Sequence, residues 1–498
     1  MSYRALIVAS IVLLSLVPGV MGAPGVQILS VPSAGSSQYW ISGVATDAAP
    51  AEHAVVAYVR VGSAWWGPKP TFADPLTSIR PDGFWDTTFV TGGYDDQATD
   101  FAVYLLPRSV VQAGVVPPEL HGASSLPSSL EVYPHAVASR PTTTPLPVPT
   151  VRREGTDLVG LNFGPYLNGE NPGWTVLSES TIVQRMQVVA PYTTWFRTFG
   201  VDRGLERVGP LAHSMGKKAA VGAWLSHDLA ANRAQLEALV QVGRAGGADI
   251  LIVGSETLER GNLTERELVT YLQWVREQVP GVPVATADTY GQFLRYPSVV
   301  EASDLLLVNI YPYWEGVSIE NAVPRTRAAY LQMTAVAGGR PVIVSEMGWP
   351  DDGPTEGQAV PSAANAARFL REATDWAHAE SVPYFYFEAF DEVWKASSGE
   401  GEVGAHWGIW DGNLGMKPGR LPLEPVVMVP GGTAPPTDTD ADARCDDVNG
   451  NGRADFADVV LYFNQMSWIA ANEPVASFDY NGNGRIDFAD VVWLFNRI

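Results

Sequence analysis

The chain has 498 residues, a formal net charge of −22 and a single cysteine, Cys445. That charge opposes nucleic-acid binding, which wants a basic patch, and suits a solvated acidic surface, cation-holding loops or a neutral polysaccharide. One cysteine excludes an internal disulfide, and the length exceeds what one ordinary domain needs, so several domains are expected.

Residues 1–22 carry Arg4, an apolar stretch from Ala5 to Val17, and Val20 and Gly22 as small residues before a cut at Ala23. This reads as a secretory signal peptide, since the apolar core is too short to span a bilayer. No later segment is long and apolar enough for a membrane span, so the chain is expected to be secreted and extracellular, or attached at a cell surface. Residues 23–138 show short β-type runs such as Ala54 to Val61 and Phe101 to Leu106, separated by Gly, Pro and Asp turns, which favours a β-sandwich-like module. Its role is carbohydrate binding or spacing. Trp65, Trp66, Phe72 and Trp85 form either a sugar-stacking platform or part of a core between two sheets. Residues 139–154 read as a Pro/Thr-rich linker.

Residues 155–425 contain eight short apolar runs: Leu158 to Phe163, Trp195 to Phe199, Ala219 to Leu225, Ile250 to Glu256, Pro283 to Thr289, Leu305 to Tyr311, Pro341 to Glu346 and Tyr384 to Phe390. Their length and content fit strands covered on both faces. Between them lie segments of helical spacing, for example Leu268, Tyr271, Leu272 and Val275, which follow a Thr264-x-x-Glu267 capping box. Eight strands alternating with helices over roughly 260 residues fit a (β/α)8 TIM barrel, whose catalytic groups sit at the C-terminal strand ends. Glu256 ends the fourth strand and Glu346 the seventh. Each alone could be a salt-bridged core residue or a helix cap. Together they suit glycosidic cleavage, in which one carboxylic acid protonates the leaving oxygen and a second carboxylate attacks or stabilises an oxocarbenium-like centre. A separation of about 5 Å implies retention, and roughly 6.5 to 9.5 Å inversion.

The motifs Gly-Leu-Asn-Phe-Gly-Pro-Tyr166, Arg197-Thr-Phe-Gly, Val-Gly-Ser-Glu256, Asn309-Ile-Tyr-Pro-Tyr-Trp314, Ser-Glu346-Met-Gly-Trp-Pro, Phe387-Glu-Ala-Phe-Asp-Glu-Val-Trp-Lys395 and His406-Trp-Gly run in order along the barrel. This stretch resembles glycoside hydrolase family 17, the β-1,3-glucanase family. The resemblance implies a retaining mechanism with Glu256 as general acid/base and Glu346 as nucleophile, and no cofactor for catalysis. One departure stands out: the clan usually has Asn before the acid/base, and this chain has Ser255, whose hydroxyl is shorter and offers fewer hydrogen-bond sites. Asn162, Tyr166 and Ser255 are assigned to substrate binding. So are Tyr311, Tyr313, Trp314 and Trp349, which with Trp394 could stack on glucosyl faces or be core. Glu388, Glu392 and Lys395, beside Asp391, bind sugar hydroxyls or form a buried ion-pair network. Asn262-Leu-Thr264 is a glycosylation acceptor pattern.

Residues 426–444 read as a second linker. Residues 445–498 hold a duplicated loop: Asp447, Asn449, Asn451, Arg453, Asp455 and Asp458 recur 32 positions later as Asp479, Asn481, Asn483, Arg485, Asp487 and Asp490. Those are calcium-loop positions 1, 3, 5, 7, 9 and 12, with Gly452 and Gly484 permitting the turn and each Arg offering a backbone carbonyl. Position 12 is Asp rather than Glu. With the Phe-Ala-Asp-Val-Val helix starts, this segment resembles a dockerin, a small α-helical domain with two EF-hand-like loops. The resemblance implies two Ca2+ ions and a cohesin partner.

The expectation is a secreted endo-β-1,3-glucanase acting on β-glucan polysaccharide or oligosaccharide. A transglucosylase that remodels glucan, and a non-catalytic glucan-binding surface protein, are the alternatives.

Overall fold

The computed structural model describes residues 23–33, 38–112, 117–140, 159–420, 426–440, 444–483 and 485–498. The expected signal peptide, nearly all of the expected first linker and Gly484 lie outside them. The chain divides into two compact units at Pro141.

In the first unit, Gly25–Ser30, Trp40–Thr46 and Phe84–Thr88 form one antiparallel sheet. A second sheet runs in the order Leu120–Ala123, Ala64–Lys69, His53–Val61, Asp100–Pro107, His135–Ser139. Successive residues of a strand point to opposite faces, and the strand His53–Val61 uses both. Val55, Ala57 and Val59 join Ile41, Trp85, Phe89 and Phe101 in a core shared by the two sheets. Val56 and Tyr58 instead pack with Trp65, Tyr104, Leu106 and Leu130 on the far face. A β-sandwich results. Of the four aromatics considered for a sugar platform, Trp65 and Trp85 are therefore core, and only Trp66 and Phe72 are exposed.

In the second unit the eight expected runs are all strands of one closed, parallel barrel: Val159–Asn162, Trp195–Arg197, Lys218–Ala223, Ile250–Ser255, Val284–Thr289, Leu306–Asn309, Val342–Met347 and Tyr384–Tyr386. Ala220, Ile250, Ile252, Ala285, Ala287, Leu305, Leu307, Ile343 and Phe385 form one buried cluster, the packed interior such a barrel needs. Gly160 is required for that packing, because a β-carbon there would stand 2.2 Å from the Phe385 ring. Helices alternate with the strands. The Thr264 capping box opens Glu265–Gln278, and Leu268, Tyr271, Leu272 and Val275 are its buried stripe.

The C-terminal repeat forms Phe456–Asn472 and Phe488–Phe495, each started by an aspartate capping box, Asp455 with Asp458 and Asp487 with Asp490. Of the segment expected to be a linker, 426–444, residues 426–440 pack on this repeat, and 441–443 lie outside the described residues. Val429 is buried in the core formed with Cys445, Val448, Tyr462 and Tyr480. Thr437 and Asp447 exchange backbone hydrogen bonds, and the Thr433 amide donates to the Asn449 carbonyl. Prolines and threonines there follow a folded surface instead of spanning solvent.

Trp85 fills the space left open by Gly43, whose β-carbon would meet that indole at 2.3 Å. Trp85→Ala should destabilise the sandwich by about 3–5 kcal/mol through the cavity it leaves, read by denaturant unfolding of the full chain. A loss below about 1 kcal/mol would mean the two sheets do not share this core.

Candidate active site

A charged side chain at the end of an apolar strand has to find partners, since burying an unpaired charge is prohibitively unfavourable. Arg197, which closes the second barrel strand, is fully buried. Its Nη1 donates to Glu346 Oε1 at 2.7 Å, to the Ser345 carbonyl at 3.3 Å and to Asn162 Oδ1, and its Nη2 donates to Ser255 Oγ at 3.1 Å. The guanidinium also lies 4.7 Å from the Phe199 ring centre. Glu346 is held from a second side: Oε1 accepts from Ser255 Oγ at 3.2 Å and Oε2 from the Tyr311 hydroxyl at 2.7 Å. Both oxygens are thus fixed, and burial beside this carboxylate keeps the Tyr311 phenol well above its ordinary range.

Glu256 is reached by a distorted strand end. The register of the fourth strand against the fifth shifts between Ile252 and Ser255, and Gly254 and Glu256 take φ of 76° and 52°. A positive φ is rare for a residue with a β-carbon, and the fifth strand holds it: the Glu256 amide donates to the Ala287 carbonyl at 2.7 Å, Thr286 Oγ1 to the Gly254 carbonyl, and the Leu258 amide to Asp288 Oδ2 at 3.0 Å. The Glu256 carboxyl accepts from Asn309 Nδ2 at 2.9 Å, and Asn309 Oδ1 in turn accepts from Ser345 Oγ at 2.7 Å. Burial pushes the Glu256 carboxyl up to about 7, the nearby Glu346 charge adds to this, and the Asn309 bond opposes it. Burial likewise raises Asp288 to about 7. Two neighbouring carboxyl groups with such different surroundings can divide proton donation and nucleophilic attack between them.

The other expected sugar contacts separate into rim and core. Trp314 is 44% exposed, with its ring against Tyr313 and Trp407. Tyr313 and Trp349 are both buried, with Tyr313 donating to the Pro354 carbonyl at 2.7 Å and Trp349 to the Val360 carbonyl at 3.2 Å. Asn162 is buried too: its amide donates inward to the Ser345 and Tyr386 carbonyls and its oxygen receives Arg197. Tyr166 is nearly buried. Glu388, Glu392 and Lys395 form the ion-pair network: Lys395 Nζ reaches Glu388 at 2.6 and 2.7 Å and Glu392 at 2.9 Å, all three buried. Burial holds Glu388 well above the carboxylate range. Trp394 is tied to this network through Glu392 at 3.0 Å.

Arg197 and Asn309 lie inside the motifs but carried no assigned role, although an Arg closing an apolar run was the available signal. Ser345 and Asp288 had none, because their side-chain partners lie 36 and 30 residues away on or just after the neighbouring barrel strand.

In the C-terminal loops, Asp447 accepts from the Asn451 and Gly452 amides at 2.9 and 2.8 Å, and Asp479 from Gly482 and Asn483 at 2.9 and 3.1 Å. Asp458 and Asp490 each fold back, onto the Asn449 and Asn481 amides. Arg453 and Arg485 donate backbone amides to Asn451 and Asn483 and are exposed. Among the described residues no three His, Cys, Asp or Glu side chains converge as a metal cluster. The oxygens on offer are mixed, and Asn449 Oδ1 is buried without a hydrogen-bond partner, which fits a cation ligand.

A Glu256 carboxyl titrating near 7 should appear as a carboxyl carbon NMR midpoint well above that of an exposed glutamate. In Asn309→Ala the bond favouring the charged form is lost, so the midpoint should move further up; a downward shift would contradict the geometry.

Residues 160–408 match the BtgE/BtgC glycoside hydrolase domain, and residues 446–498 match the Dockerin type I domain. A glucan 1,3-beta-glucosidase of Saccharomyces cerevisiae is 30% identical over 275 residues, covering 50% of this chain and 88% of its own length. A glucan 1,3-beta-glucosidase of Arthroderma benhamiae is 31% identical over 269 residues, covering 50% and 87%. The crystal structure of a glycoside hydrolase family 17 beta-1,3-glucanosyltransferase from Rhizomucor miehei superposes with a TM-score of 0.47 at 31% identity, over 53% of this chain and 97% of that one. The chain belongs to the BtgE/BtgC glycoside hydrolase family and is a glycosidase that carries a type I dockerin.

Proposed function

We propose that this glycosidase cleaves β-1,3-glucosidic bonds within β-glucans with retention of configuration. The observation that carries the reading is the contrast between the two carboxyl groups. Glu346 has both oxygens fixed by Arg197, Ser255 and Tyr311, and Glu256 is held near neutrality by burial. The relatives named as glucan 1,3-beta-glucosidases support the substrate.

In the first step protonated Glu256 gives its proton to the bridging oxygen as Glu346 attacks the anomeric carbon, forming a glycosyl ester and releasing the reducing-end chain. Glu256, now ionised, then takes a proton from water, which attacks the same carbon and frees Glu346. Ser255 does not deprive Glu346 of support, since its hydroxyl both accepts from Arg197 and donates to the nucleophile. A glucan hydroxyl in place of that water would give transfer instead of hydrolysis.

The loops Asp447 to Asp458 and Asp479 to Asp490 are proposed to hold one Ca2+ each through the side-chain oxygens at positions 1, 3, 5, 9 and 12. Bound calcium would supply the positive charge that gathers these oxygens. The dockerin would then dock a cohesin on a scaffold or cell surface, consistent with export by the segment 1–22. Phe456, Val460 and Phe463 on one helix and Phe488, Val492 and Phe495 on the other are exposed, a patch of the kind that marks a protein interface.

Glu346→Gln should lower turnover of a β-1,3-glucan by roughly four orders of magnitude or more while oligosaccharide binding persists, and NMR of the first products of the natural enzyme should show β-anomers. Unchanged turnover, or α-anomers first, would sink the assignment. Chelation of calcium should reduce the helical circular dichroism contributed by the C-terminal repeat, and readdition should restore it; an indifferent spectrum would remove calcium from the account.

A further inference from the structure

We infer that Trp224, with Arg260 stacked upon it, is the platform for the leaving chain and for the acceptor that replaces it, and so sets the balance between transfer and hydrolysis. The inference rests on the proposed roles of Glu256 and Glu346. Trp224 directly follows the third barrel strand and is 46% exposed on the face where the strands end. Exposure alone would say little. What distinguishes this residue is how firmly its backbone is held.

Its backbone amide donates to Gln235 Oε1 at 3.2 Å, and the short turn after it is closed by Asn232, which accepts from the Ser226 amide at 2.8 Å and donates to the Ser226 carbonyl at 2.7 Å. Gln235 and Asn232 lie on the helix Leu229–Arg244, so the backbone that carries the ring is tied to a helix. The Arg260 guanidinium lies 4.3 Å from the indole centre, its Nε donates to Asn262 Oδ1 at 2.9 Å, and its backbone amide donates to the Glu256 carbonyl at 2.9 Å. The stack is therefore built into the same turn that carries the acid, and Arg260 is close enough to feel the charges of both Glu256 and Glu346.

Chemistry then fixes which sugar it meets. The acid must touch the bridging oxygen, and after cleavage that oxygen belongs to the departing chain. In the second step the attacking hydroxyl occupies the same position. Groups carried by the Glu256 turn consequently flank the departing or incoming chain, not the sugar bound to Glu346. A flat ring there with a guanidinium beside it suits the apolar face and the hydroxyls of one glucosyl unit, and preorganisation spares that contact the entropy of ordering the side chains. Water needs no such platform.

Natural enzyme, Trp224→Ala, Trp224→Phe and Arg260→Ala should be given laminari-oligosaccharides at several concentrations, with lengthened and shortened products counted by mass spectrometry. Trp224→Ala should lower the ratio of transfer to hydrolysis by about five- to tenfold, Trp224→Phe should restore part of it, and Arg260→Ala should lower it less. Glycosylation by a substrate with an activated aryl leaving group should fall by a smaller factor than cleavage of the oligosaccharides. An equal ratio in natural enzyme and folded Trp224→Ala, or in natural enzyme and Arg260→Ala, would overturn the platform while leaving the glucanase reading intact. No turnover of oligosaccharides by natural enzyme would overturn both.

Discussion

Arg197 is the constraint on which the rest of the site depends. A guanidinium cannot be left alone in the mouth of an apolar barrel, and its hydrogen bonds recruit Asn162 from the first strand, Ser255 from the fourth and Glu346 from the seventh. One buried cation thereby sets the distances among four strands. The arrangement also defines the charge left to the cleft. Glu346 has an opposite charge in direct contact, whereas Glu256 has only an amide, and burial pushes the Glu256 carboxyl up. Such ion pairs are poor sources of stability compared with apolar packing, so their presence at the barrel mouth is better understood as serving chemistry.

The strained turn at Glu256 belongs to the same design. Left-handed backbone at a residue with a β-carbon costs on the order of 1–3 kcal/mol and persists only where neighbours enforce it. Here Ala287, Thr286 and Asp288 all contribute from the adjoining strand. The turn brings the Glu256 side chain to Asn309 and starts the loop on which Arg260 leans against Trp224. Backbone strain, the proposed acid and the proposed aromatic platform are thus one local structure.

Much of this was legible in the chain. Eight apolar runs became eight strands with ends moved by a few residues, because a strand buried on both faces announces itself by composition. The two glutamates stood out as charges closing such runs. What composition could not separate was the rim from the layer beneath it: Tyr313, Trp314 and Trp349 follow strands in similar contexts, yet only Trp314 reaches solvent. Asn162 looks like a sugar ligand by type, but its partners are carbonyls on two other strands. Trp224 and Arg260 are 36 residues apart and meet only because consecutive barrel strands lie side by side. Glu388, Glu392 and Lys395 stand close in the sequence, but that they pair with one another and are buried is visible only in the fold.

The packing of residues 426–440 on the C-terminal repeat changes where that domain begins. Thr433 and Thr437 bond Asn449 and Asp447, two residues of the first loop, and Val429 sits in the hydrophobic core. The Val427 amide reaches Glu473 beyond the long helix. A dockerin excised at Cys445 would lose a wall of its core and expose the backbone of the loop proposed to hold a cation. Excision near Val426 would carry the complete module, and grafting onto another enzyme should use that boundary.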